Sequence, residues 1–125
     1  MTDSDLSRRI RSFVIRTGRM TDSQKAGWDI GFPKHGFTLS DNQFDWNSSF
    51  DVVGPRVLEI GFGMGDSLVA MAEQNPESRY LGIEVHTPGV GKLLADVERR
   101  GIHNLKVFSD DAVQVLEDVI PVNSV

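Results

Sequence analysis

From residue 54 onward the chain alternates short apolar runs with amphipathic stretches. Arg56-Val57-Leu58-Glu59-Ile60 follows Pro55 and precedes a cluster of glycines, which predicts a short buried strand. After the cluster, Leu68, Val69, Met71 and Ala72 share one helical face, Asp66 and Ser67 offer a cap, and Pro76 closes the segment. Residues 79–85 read as a second strand. Thr87 then precedes Pro88 in an N-cap and first-turn arrangement, Val90, Leu93, Leu94 and Val97 recur at helical spacing, and Gly101 stops the helix. Residues 105–108 predict a third strand, and Asp110 and Asp111 open a last helix with Val113, Leu116, Val119 and Ile120 inward, ended by Pro121.

Strands separated by helical segments imply parallel βαβ units with right-handed crossovers, an α/β fold. Sheets of this kind bind ligands beyond the carboxyl ends of their strands, where the loops enter the helices. Three loops, at residues 59–66, 84–88 and 109–111, are therefore the candidate site. Residues 1–50 lack steady periodicity and scatter Phe13, Trp28, Phe32, Phe37, Phe44, Trp46 and Phe50 among glycines and polar residues. They predict an irregular extension that packs by its aromatics, so the chain divides into an extension at 1–53 and an α/β unit at 54–125.

Composition narrows the class. With 125 residues, 39% of them hydrophobic, and no Cys, the chain suits one folded core and excludes collagen, a disordered tail and a disulfide-stapled scaffold. No apolar run reaches the roughly 18–20 residues that cross a bilayer, and acids stand in the first residues where a signal peptide is basic and apolar, so a soluble cytoplasmic protein is expected. The net charge of −5 is unevenly spread: residues 1–20 hold Arg8, Arg9, Arg11, Arg16 and Arg19 against two Asp, a net +3, and the rest carries −8. A polyanionic partner meeting this arm and a solvated amphipathic helix are both open readings of that charge.

The stretch at 58–66, LEIGFGMGD, carries the most chemistry. Gly61, Gly63 and Gly65 remove the Cβ atoms that would keep a ligand off the backbone. A dinucleotide G-x-G-x-x-G fingerprint would need glycine where Asp66 stands. Glu59, at the end of the first predicted strand, would repel a pyrophosphate yet suits a ligand that carries positive charge, as S-adenosylmethionine does. Glu84 ends the second strand 23 residues after Gly61, where an acid accepts hydrogen bonds from ribose hydroxyls. Asp111, just after the third strand, can accept from an adenine amine or simply cap the last helix. Glu84 serves a nicotinamide cofactor equally well, whereas Glu59 and Asp66 favour a methyltransferase over a dehydrogenase. His86, on the loop beside Glu84, reads as an isolated surface residue or as a lining of the pocket, and His35 and His103 show no partner spacing, so with no Cys no metal site is expected.

With LEIGFGMGD at 58–66, LGIEVHTPGVG at 81–91, NLKVFSDDAVQVL at 104–116 and the arm RRIRSFVIRTGRMT at 8–21, the sequence resembles the bacterial tRNA (guanine-N7-)-methyltransferase family over nearly its whole length. The resemblance implies a Rossmann-like fold dependent on S-adenosylmethionine, and methyl transfer to N7 of a guanosine in the variable loop of tRNA. It implies cofactor contacts from Glu59, Glu84 and Asp111, a pocket shaped by Gly61, Gly63 and Gly65, and tRNA as partner. From its charge, the arm at Arg8, Arg9, Arg11, Arg16 and Arg19 is expected to touch RNA. Members of the family continue through a fourth strand into a PDPW-type segment with the catalytic Asp, and no residue here matches it. The resemblance thus implies the first three βα units of an incomplete sheet, with no catalytic residue in this chain. In the family's sheet the first strand is central, so residues 56–60 are expected to form an exposed edge. That edge calls for the missing C-terminal half or another protein as cover, and poor stability of the isolated chain is the corollary. An inactive truncated product, or a non-catalytic RNA-binding module working through the arm, remain the alternatives.

Overall fold

The computed structural model describes residues 19–39 and 44–118. In chain order the elements are α1 (Asp22–His35), β1 (Gly36–Phe37), α2 (Trp46–Ser49), β2 (Arg56–Ile60), α3 (Asp66–Gln74), β3 (Arg79–Ile83), α4 (Thr87–Arg100), β4 (Leu105–Phe108) and α5 (Ala112–Asp118). The four strands form one parallel sheet in the order β1-β4-β3-β2. The apolar runs at 56–60 and 105–108 become strands with those bounds, while the second predicted strand ends at Ile83, two residues early, with the Glu84 amide making a last bond to the Phe108 carbonyl.

Alternation along the strands supplies two cores, one on each face of the sheet. On one face Tyr80, Leu105 and Val107 pack with Leu68, Val69 and Ala72 of α3 and with Val90, Leu93, Leu94 and Val97 of α4. On the other, Leu81, Ile83 and Phe108 meet Phe44, Trp46 and Phe50, with Val115 of α5 beside them. Phe44 stands at the centre of that aromatic cluster, with edge-on contacts to Phe37, Trp46, Phe50 and Phe108. Aromatic pairs in this geometry add to plain burial.

The segment read as irregular holds two helices, α1 and α2, and the strand β1. Thr21 and Gln24 form a capping box at the start of α1: Thr21 Oγ1 accepts from the Gln24 amide at 3.1 Å, and Gln24 Oε1 accepts from the Thr21 amide at 2.9 Å. The helix lies on α4 through glycine. A Cβ on Gly27 would stand 2.6 Å from both the Ala95 Cβ and the Gly91 carbonyl oxygen, and one on Gly91 would stand 2.6 Å from the Gln24 carbonyl oxygen. The two backbones therefore touch, and no large apolar stripe is needed on α1. At its far end, His35 Nε2 and Lys34 Nζ both meet Glu98 of α4 at 3.0 Å. Gly36 and Phe37 then pair with Val107 and Phe108 as a fourth strand.

Three expectations are corrected. Gly65, not Asp66 or Ser67, caps α3, using a left-handed φ of 85° and no side-chain bond. His86 rather than Thr87 is the N-cap of α4, with Pro88 in its first turn as expected. On α5 the inward residue is Val115, fully buried, whereas Val113 and Leu116 are 62% and 39% exposed. Ala112 and Val115 are a helical step apart and fit the aromatic cluster, which selects their face over the equally apolar one at 113 and 116. Val119 and Ile120, like Arg8, Arg9, Arg11 and Arg16, lie outside the described residues.

Candidate functional site

Parallel pairing brings the carboxyl ends of β2, β3 and β4 together, with one candidate acid at or just past each end. Glu59 is the penultimate residue of β2 and pairs with Gly82. Glu84 follows the last residue of β3, and its amide donates to the Phe108 carbonyl at 3.0 Å. Asp111 follows β4 and precedes α5; its Oδ1 accepts from the Gln114 amide at 3.1 Å, so it does cap that helix. Its neighbour Asp110 is buried and accepts from the Leu39 amide at 3.1 Å, which ties the end of β1 to the end of β4.

The loop at 61–65 is shaped by three left-handed residues, Gly61, Gly63 and Gly65, at φ 71°, 65° and 85°. A Cβ on Gly61 or Gly63 would meet nothing within 4 Å, so both present bare backbone to open space, a cradle in which a ligand can touch the chain itself. Gly65 faces inward, where a Cβ would come 2.7 Å from Leu93 Cδ1. The Gly61 amide donates to the Ile83 carbonyl at 2.8 Å, which continues the β2–β3 ladder into the loop, and Phe62 is packed against the α3–α4 core.

Glu84 organises the two loops around it. Oε1 accepts from the Gly63 amide at 2.6 Å, and Oε2 accepts from the amides of Val85 and His86 at 3.0 and 3.1 Å. A carboxylate offers about four acceptor positions, so one stays open for a hydroxyl and a second opens only if a backbone amide lets go. Asp66, exposed at the start of α3, pairs with Lys92 of α4, which also reaches Asp96 at 2.9 Å. The hydrogen bond to Asp66, then that to Asp96, raises the Lys92 pKa. The Asp96 carboxyl loses solvation on burial, yet hydrogen bonds from Arg99 and Lys92 hold it below the ordinary range.

Sequence reasoning missed two features of this site. One is Lys92, whose spacing along α4 gives no hint of its bridge to α3. The other is Gly89, where a Cβ would stand 1.9 Å from the Gly63 carbonyl oxygen, so that α4 abuts the loop directly. Its signal was legible: a glycine inside the first turn of a helix disfavours that helix unless something must come close. Arg19 is exposed among the described residues and stands apart from these loops in sequence. No group of three His, Cys, Asp or Glu suited to a metal occurs among the described residues, and no helix among them is long and apolar enough to cross a membrane.

A tRNA (guanine-N(7)-)-methyltransferase of Hydrogenovibrio crunogenus is 51% identical over 117 residues, 94% of this chain and 49% of the relative. One from Klebsiella pneumoniae subsp. pneumoniae is 52% identical over 117 residues, again 94% of this chain and 49% of the relative. The chain therefore spans about half the length of the curated relatives it matches. A solved coclaurine N-methyltransferase, bound to N-methylheliamine and SAH, is similar with a TM-score of 0.45 at 13% identity, over 88% of this chain and 40% of that one. Residues 53–125 match the family model described as "Putative methyltransferase", and the match covers the glycine loop, Glu84 and Asp111; the chain belongs to that methyltransferase family.

Proposed function

We propose that this chain is the cofactor-holding half of a tRNA (guanine-N7-)-methyltransferase, and that its loops at the carboxyl ends of β2, β3 and β4 hold S-adenosylmethionine. The observation that carries the reading is the pairing of a bare glycine cradle with acids at three neighbouring strand ends: Gly61 and Gly63 open to solvent, beside Glu59, Glu84 and Asp111. The fit is to a cation without phosphate. A pyrophosphate would meet Glu59 where it needs amides, and the Gly63, Val85 and His86 amides are already turned onto Glu84.

When bound, S-adenosylmethionine supplies a sulfonium methyl group to an incoming nucleophile. Guanine N7 is an accessible lone pair, so the reaction needs placement more than a strong base, and placement can contribute about 7–11 kcal/mol in well-oriented systems. Glu84 would accept from a ribose hydroxyl through its open position. Asp111, just past the end of β4, would accept from the adenine amine. Glu59, on the same strand as the loop, would offset the ligand's positive charge. The whole protein would act on tRNA in the cytoplasm, with the residues that grip guanine supplied from beyond this half. The relatives' names and the match over nearly the whole chain support that substrate.

Calorimetric titration with S-adenosylhomocysteine tests the cofactor reading. Glu84→Ala removes an acceptor worth about 1.5–3 kcal/mol, so the dissociation constant should rise about ten- to a hundredfold; equal affinity in both proteins places the ligand elsewhere. The arm is assigned to RNA on its charge. Log affinity for tRNA should fall with log salt by about 0.7 per phosphate contacted, and replacing Arg8, Arg9, Arg11, Arg16 and Arg19 by Gln should flatten that slope. An unchanged slope would remove the arm from the interface.

A further inference from the structure

Gly63 is gripped at both of its backbone polar groups. Its amide donates to Glu84 Oε1 at 2.6 Å, and its carbonyl oxygen lies 1.9 Å from where a Cβ of Gly89 would be. Glu84 in turn is held by the amides of Val85 and His86, the last being the N-cap of α4. The first turn of α4 and the loop before it thus surround one left-handed glycine of the cradle, at φ 65°. Gly89 itself is buried and carries no positive φ, so alanine there would suit the helix. The requirement for glycine comes from the Gly63 carbonyl alone.

We propose that Gly89 is a positioning residue for the cofactor cradle: its missing side chain lets α4 seat against the Gly63 carbonyl and sets the loop in the shape that binds ligand. The proposal rests on the cofactor reading above for what the cradle holds. A methyl group on Gly89 pushes the Gly63 peptide outward, strains the bond to Glu84 and leaves α4 intact. Gly91, two residues on, is the control, because its added methyl meets the Gln24 carbonyl of α1 at 2.6 Å and no part of the loop.

The test compares Gly89→Ala with Gly91→Ala in the full 125-residue chain, by amide NMR and by calorimetry with S-adenosylhomocysteine. Gly89→Ala should move the Gly61 and Gly63 amide resonances and raise the dissociation constant about tenfold or more, while Gly91→Ala leaves both as in the parent chain. An unmoved Gly63 amide in folded Gly89→Ala, or an equal loss of affinity in the two variants, overturns the proposal. If Gly89→Ala does not fold, two measurements on the parent chain decide. The Gly63 amide should be protected from hydrogen exchange, and the Gly89 Hα should show a cross-peak to the Met64 amide; absence of either overturns the proposal. A parent chain that binds no S-adenosylhomocysteine defeats the cofactor reading instead, and the amide comparison still decides the loop-positioning role.

Discussion

Gly61 and Gly65 of one loop are there for different reasons, and the difference can be measured. Gly61 needs only its positive φ, since a Cβ there meets open space. Gly65 needs the φ and also the room, with Leu93 at 2.7 Å. Gly61→Ala should therefore cost about 1–2 kcal/mol in urea unfolding, and Gly65→Ala about 2–5 kcal/mol, the sum of backbone strain and an overpacked contact. Equal losses would mean that Leu93 yields to the methyl group. The loop as a unit was legible in the sequence, because glycines at alternate positions between a strand and a helix have few other uses. Its internal division of labour was not, since Leu93 and Gly89 reach it from α4, a different element. Asp66 shows the same limit: its local sequence suggested a cap, and Lys92 took it for an ion pair instead.

Among the elements, the strands and α4 were readable because their buried faces are apolar, and α1 was not because its buried face is Gly27, Gly31 and His35. A helix that docks by backbone contact leaves no hydrophobic period to find. The Thr21 to Gln24 capping box and the pair Trp28 and Phe32, one turn apart, were the available signals. On α5 the sequence offered two apolar faces, and only the aromatic cluster chose between them. The hold of α1 on α4 is also sensitive to pH. Burial pushes the His35 imidazole below its ordinary value, and Lys106 and Lys34 add to this, while Glu98 opposes it. A depressed histidine binds its proton more readily in the unfolded chain, so stability should be unaffected above about pH 6.5 and fall as pH drops below it. The Glu98 carboxyl is held low by hydrogen bonds from Lys34 and His35 against burial, so its contribution fades at lower pH still. Urea midpoints at pH 7.5 and pH 5.5 should differ more in the parent chain than in His35→Gln; identical shifts would place the acid sensitivity elsewhere.

At the scale of the molecule, β2 is an edge strand among the described residues, and its last residue, Ile60, is 50% exposed. The exposed edge was foreseeable from the order of strands, and the added strand β1 protects the opposite side, beside β4. An uncovered edge pairs with whatever is offered, so the chain should associate with increasing concentration, and Ile60→Lys should suppress this in sedimentation experiments. A monomeric sample that unfolds cooperatively on heating would show that the edge needs no cover.

The glycine cradle grows from the end of this same outer strand. On the cofactor reading proposed above, whatever docks along β2 adds a wall to the ligand site, and any effect of one on the other runs both ways. A partner that tightens S-adenosylmethionine binding by some factor must itself be bound tighter by that factor when the ligand is present. Cofactor occupancy would then report on assembly, and assembly on occupancy, with no moving part beyond a shared edge.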